Sequence, residues 1–208
     1  MTSGYAGARA RVQCAIGLVM LAWAMLATAT VVQATAAKPA RTILVMGDSL
    51  SAAYGLSASQ GWVALTADRV AKTRPGWRVV NASISGETTA GGVSRIAAEL
   101  KRSKPAVVVI ELGANDGLRG LPLAQTRTNL ARMITLSQAS GAKVLLVGMR
   151  MPPNLGRDYT QGFERNFSEL STLHKTAFLP CPLYTSDAAD ESRRVDLLER
   201  GLVDTSHE

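Results

Sequence analysis

Ala106-Val107-Val108-Val109-Ile110-Glu111-Leu112 decides the fold. From Ala106 to Ile110 every residue is aliphatic and three are valine. A strand with one wet face alternates apolar and polar residues, so an unbroken aliphatic run of this kind has to be covered on both sides. Working outward, Thr42-Ile43-Leu44-Val45-Met46, Trp77-Arg78-Val79-Val80-Asn81-Ala82 and Lys143-Val144-Leu145-Leu146-Val147-Gly148-Met149 read as three further strands. Between them, residues 61–72 carry Trp62, Val63, Leu65 and Val70 at helical spacing, and residues 88–101 carry Val93, Ile96, Ala97 and Leu100 on one face. Residues 123–140 and 163–178 read as two more helices, and Arg74-Pro75-Gly76 and Gly141 supply stop signals. Strands alternating with helices predict an α/β domain with a parallel sheet covered on both faces. No repeat or interdomain linker divides it.

In open parallel sheets, ligands bind in the crevice beyond the carboxyl ends of the strands. Three strand ends carry hydrogen-bonding or reactive residues: Ser49 in Gly47-Asp48-Ser49, Gly86 at the close of the turn-rich stretch 83–86, and Asn115 in Gly113-Ala114-Asn115-Asp116-Gly117. Acyl transfer at a serine needs a nucleophile with a base near it, donors aimed at the developing oxyanion, and a carboxylate that orients the base. Ser49 supplies the hydroxyl; its own N–H, the N–H of Gly86 and the side-chain amide of Asn115 supply three donors. A single serine in a glycine-bearing turn is more often a turn or cap residue. Three such loops in succession favour the chemical reading.

The same residues resemble a known family. Gly47-Asp48-Ser49-Leu50-Ser51-Ala52-Ala53-Tyr54-Gly55, Asn81-Ala82-Ser83-Ile84-Ser85-Gly86-Glu87-Thr88-Thr89 and Glu111-Leu112-Gly113-Ala114-Asn115-Asp116 are similar to the first three blocks of the GDSL, or SGNH, hydrolases, over roughly residues 41–180. The branch that looks nearest comprises secreted bacterial arylesterases and multifunctional thioesterase/lysophospholipase enzymes. The resemblance implies a flavodoxin-like α/β/α sandwich, the SGNH hydrolase fold. It implies Ser49 as nucleophile, with Ser49, Gly86 and Asn115 as the oxyanion hole. The implied activity is cleavage of carboxylic esters or thioesters through an acyl-enzyme intermediate, with no cofactor and no metal. A carbohydrate deacetylase on the same fold is the alternative. It predicts a polar crevice rim, whereas Tyr54, Leu56, Leu118, Leu121, Met149, Met151 and Leu155 in the surrounding loops suit an acyl chain, unless they are packing beneath those loops.

The family's last block is Asp-x-x-His, usually followed by proline and a closing helix, its histidine the general base and its aspartate the orienting group. His174 falls inside the last predicted helix and reads as a surface or rim residue; Asp204-Thr205-Ser206-His207 has the required spacing, with Glu208 where the family has proline. Asp204 and His207 are therefore the candidate acid and base. Residues 181–208 are nonetheless set apart as a tail. Leu183-Tyr184-Thr185-Ser186-Asp187-Ala188-Ala189-Asp190-Glu191 resembles the translation of a common sequencing-library adapter. The tail is thus either the closing block or an assembly artefact, and in the second case the chain lacks its true dyad.

Residues 1–37 read as a signal peptide: Arg9 and Arg11 precede the apolar run 14–32, and Ala34-Thr35-Ala36 has the small-x-small form that a signal peptidase reads. The run is also long enough for an uncleaved membrane anchor. Cleavage leaves residues 38–180 as the hydrolase domain, working as a monomer in the periplasm or outside the cell. It also leaves Cys181 as the single cysteine, which cannot close an internal bridge. The +7 net charge is scattered and lacks the clustered basic and aromatic pattern of nucleic-acid binders. Two distant histidines match no standard zinc spacing. The expected partner is a small acyl ester, thioester or lysophospholipid, with no nucleic acid, and a membrane met only through the signal peptide.

Overall fold

The computed structural model describes residues 41–180. The signal peptide read at 1–37 and the tail at 181–208, with Asp204 and His207, lie outside the described residues. Five parallel strands, β1 (Arg41–Gly47), β2 (Trp77–Asn81), β3 (Val107–Glu111), β4 (Lys143–Val147) and β5 (Ala177–Leu179), form one sheet in the order β2-β1-β3-β4-β5. The helices between them are α1 (Trp62–Thr73), α2 (Thr89–Ser103), α3 (Ala114–Leu118), α4 (Leu123–Ala139) and α5 (Arg157–His174). None of the described helices is long and apolar enough to cross a membrane.

The aliphatic runs divide between two cores because successive side chains on a strand point to opposite faces. Leu44, Met46, Val108, Ile110, Val144 and Leu146 pack under Ile96 and Leu100 of α2, Leu130, Met133 and Ile134 of α4, and Phe163, Phe167 and Leu170 of α5. Their alternates Ile43, Val45, Val107, Val109, Leu145 and Val147 face Trp62, Val63 and Val70 of α1. The right-handed crossover rule accounts for this split. The chain steps one way from β1 to β2 and the other way from β3 through β5, so α1 lies opposite α4 and α5. Helices on both faces of one parallel sheet make the α/β/α sandwich that the sequence predicts.

The last helix is placed differently. It begins at Arg157 and ends at His174, where Lys175 turns left-handed at φ 52°, and the residues read as its last turn form β5 instead. Phe163, Phe167, Leu170 and Phe178 keep a helical period across that break, and no glycine or proline marks it. Periodicity therefore carries the helix through a strand of three residues.

Packing between α2 and α4 depends on Gly92. A Cβ there would lie 2.6 Å from Leu112 Cδ1 and 2.8 Å from Met133 Sδ, both on fully buried side chains. Gly92→Ala gains up to about 1 kcal/mol of helix propensity but forces a methyl into a filled core, typically at about 1–3 kcal/mol. The expected outcome is a net loss of stability, seen as a lower thermal midpoint.

Candidate active site

The chain reverses its direction of sheet building between β1 and β3, and such a switch point opens a crevice at the carboxyl ends of the strands. The loops after β1, β2 and β3 meet there, and hydrogen bonds tie each to the next. Ile84 N–H donates to the Gly47 carbonyl (3.0 Å), joining the second loop to the first. The Asn115 amide donates to Asp48 Oδ2 (3.2 Å) and to the Glu87 carbonyl (3.0 Å), joining the third loop to both. Ser49, Gly86 and Asn115 thus stand on three loops that are stitched together. Asp204 and His207 lie outside the described residues, and His174 closes α5, where its carbonyl accepts from Gln138.

Ser49 heads a tight turn in which Ala52 N–H donates to the Asp48 carbonyl (2.9 Å) and Tyr54 N–H to the Ser49 carbonyl (3.1 Å). Its side chain is partly exposed, between the fully buried Asp48 and the exposed Leu50. The second loop turns at Ile84-Ser85-Gly86-Glu87, closed by Glu87 N–H to the Ile84 carbonyl (3.1 Å), with Gly86 at φ 79°. A positive φ at the third position of such a turn is why glycine stands there. Arg119 donates to the Gly86 carbonyl (3.1 Å), bracing the turn from the third loop. Among the described residues, the N–H groups of Ser49 and Gly86 are paired with no acceptor.

The residues beneath the crevice were less visible in the sequence. Asp116, buried, accepts from Thr89 N–H (2.8 Å) and Thr89 Oγ (2.5 Å) and so sits at the N-terminus of α2, where the helix dipole favours negative charge. Glu87 pairs with Arg95 through both carboxylate oxygens (2.7 and 2.9 Å), holding the second loop onto α2. Asp48 accepts from Leu50 N–H (3.0 Å) as well as from Asn115. Burial raises the Asp48 pKa above the usual carboxylate value, these two donors oppose the rise, and the charges of Glu87 and Asp116 add to it. Motif position marks Asp48 and Asp116, but only the fold shows that Asp48 holds the Asn115 amide and Asp116 the start of α2. Of the apolar loop residues, Met149 and Met151 belong to the core with Phe163 and Phe167, and Leu155 packs against it, whereas Tyr54, Leu56 and Leu118 are exposed.

Comparison with known proteins agrees with this geometry. The model of the GDSL-like Lipase/Acylhydrolase family matches residues 45–202. Esterase TesA of Pseudomonas aeruginosa is 55% identical over 141 residues, 68% of this chain and 70% of that protein. Thioesterase 1/protease 1/lysophospholipase L1 of Escherichia coli strain K12 is 42% identical over 144 residues, 69% of this chain and 68% of that one. The crystal structure of the psychrotrophic esterase EstA from Pseudoalteromonas sp., inhibited by monoethylphosphonate, superposes with a TM-score of 0.73 at 34% identity, covering 81% of this chain and 100% of that one. Three motif loops at one switch point, on a sheet shared with these relatives, lead to one conclusion: the chain belongs to the GDSL-like lipase/acylhydrolase family of ester hydrolases.

Proposed function

We propose that the protein is a secreted serine hydrolase that cleaves carboxylic esters and thioesters through an acyl-enzyme at Ser49. The observation that carries this reading is the Asn115 amide, bound to Asp48 and Glu87 so that it stands beside the turn bearing Ser49. Ser49 Oγ attacks the ester carbonyl and its proton passes to a base. The carbonyl oxygen becomes an anion held by the Ser49 and Gly86 N–H groups and by the Asn115 amide, which turns one of its two N–H groups from its long bond to Asp48 (3.2 Å) toward the oxyanion and keeps the other on the Glu87 carbonyl. Collapse of the tetrahedral intermediate expels the alcohol or thiol, which takes the proton, and water releases the acid by the same steps. The base is assigned to His207, oriented by Asp204, on their Asp-x-x-His spacing. The exposed Leu50, Tyr54, Leu56, Ile84 and Leu118 on the loops around Ser49 suit an acyl chain, as do relatives named for thioester and lysophospholipid substrates. Residues 1–37 serve as the export signal and residues 38–180 as the catalytic domain.

Two measurements test this. Turnover of p-nitrophenyl butyrate and of a fatty-acyl thioester should exceed that of an acetylated sugar; the reverse preference would contradict the reading. Asn115→Ala should lower kcat by about 10²–10³ with little change in KM, since an oxyanion donor acts on the transition state and hardly at all on the bound substrate. It should also lower the thermal midpoint, because it deprives the buried Asp48 of one of its two donors. An Asn115→Ala enzyme with unchanged kcat would remove Asn115 from the oxyanion hole.

A further inference from the structure

Glu111 closes an otherwise aliphatic strand, and the mechanism above gives it no task. The β1–β3 register sets it opposite Gly47, directly below the turn that carries Ser49. Ser51 Oγ donates to Glu111 Oε2 at 2.5 Å, and both residues are only 1% exposed. Gly47 is required for this fit: a Cβ there would lie 2.6 Å from Ser51 Oγ and 2.8 Å from Glu111 Oε2. The Ser51 carbonyl is held from the other side by the Asn81 amide at 2.8 Å. Ser51 is therefore fixed at both its hydroxyl and its backbone, two residues beyond Ser49.

The other carboxylate oxygen, Oε1, is buried without a hydrogen-bond partner. A buried anion in that condition is strongly disfavoured. We propose that Glu111 is a positioning residue, held as the neutral acid beneath the turn, which fixes Ser51 and through it the presentation of Ser49. The proposal rests on Ser49 being the nucleophile.

The surroundings of Glu111 support the neutral form. Asp48, from the β1 turn, is the one charged group among the described residues acting on it, and its charge is negative; the side chain bonded to it, Ser51, is neutral. Burial first, and the Asp48 charge second, push Glu111 up to about 8, against the Ser51 hydroxyl and the Asp48 backbone N–H, which favour its charge. Asp48 has donors from Leu50 and Asn115 that favour its charge. Both carboxyl groups have donors, but burial weighs more on Glu111, whose Oε1 has no partner, so of the two it is Glu111 that keeps the proton. Above pH 8 a second negative charge appears under the turn beside Asp48. This should lower kcat and leave KM nearly unchanged.

The test compares wild type, Glu111→Gln and Glu111→Ala in the full-length chain, with p-nitrophenyl butyrate as substrate. Wild-type kcat should fall about tenfold per pH unit above the Glu111 pKa. Glu111→Gln, which copies the neutral acid, should keep kcat within about threefold of wild type at neutral pH and lose the alkaline fall. Glu111→Ala should lose about tenfold or more in kcat at neutral pH with KM within about twofold. A Gln variant as impaired as the Ala variant, a Gln variant that keeps the alkaline fall, or an unimpaired Ala variant would each overturn the proposal.

A stability arm, run on a Ser49→Ala background, reads Glu111 independently of turnover. A carboxyl group whose pKa is raised on folding makes the native state lose stability as pH climbs from its unfolded value of 4.5 to about 8. That decline should be smaller in the Glu111→Gln variant. If it persists unchanged, Glu111 is not a neutral acid; if it vanishes while no variant or wild type turns over substrate, the failure belongs to the catalytic reading instead.

Discussion

Ser49→Ala is expected to lower kcat on the order of 10⁶-fold, with the fold and KM nearly unchanged. Removing the nucleophile of a serine hydrolase costs about this much, because the covalent route is lost while binding and oxyanion stabilisation persist. A residual rate of about 10³–10⁴ over water should therefore remain. The fold should tolerate the change, because the hydrogen bonds that shape the turn run through the Asp48 and Ser49 carbonyls and the Ser51 side chain, and none uses the Ser49 hydroxyl. Steady-state kinetics with p-nitrophenyl butyrate and a thermal melt measure both parts. A variant that keeps a tenth of wild-type kcat would place the nucleophile elsewhere.

His207→Ala is expected to lose as much as Ser49→Ala, on the order of 10⁶ in kcat, because a serine hydroxyl is a weak nucleophile without a base to take its proton. The double variant Ser49→Ala/His207→Ala should then fall no further than either single one, since residues acting as a unit are strongly non-additive. His174→Ala, at the end of α5, serves as the control and should be unaffected. An unimpaired His207→Ala enzyme would show that His207 is not the base.

The sheet was legible because its strands are extreme in composition. Val107 to Ile110 has no polar position, and the alternation of Ile43 and Val45 against Leu44 and Met46 already divides the two cores that the helices cover. β5 was not legible: three residues are too few to show a period, and Phe178 continues the one set by Phe163, Phe167 and Leu170. The grouping of Ser49, Gly86 and Asn115 could be read from three motifs at three strand ends. What holds them could not, because a carboxyl group's role depends on burial and partners that spacing does not encode. Asp48 reads as a motif letter yet, with the Glu87 carbonyl, is one of the two acceptors that hold the Asn115 amide. Glu111 left one sequence signal, an acidic residue at the end of an aliphatic strand, whose meaning appears only with Ser51 at 2.5 Å. Met149 and Met151 looked like crevice residues because loops are usually at the surface, but both turn inward and join the core.

The most direct test of the central claim is covalent. The full-length chain is treated with a serine-reactive phosphonate, the adduct is mapped by mass spectrometry, and esterase activity is followed in the same sample. A single adduct is expected, on Ser49, with activity lost in proportion to labelling and no adduct on the Ser49→Ala variant. Labelling of another serine in step with inactivation, or full turnover by protein labelled at Ser49, would contradict it.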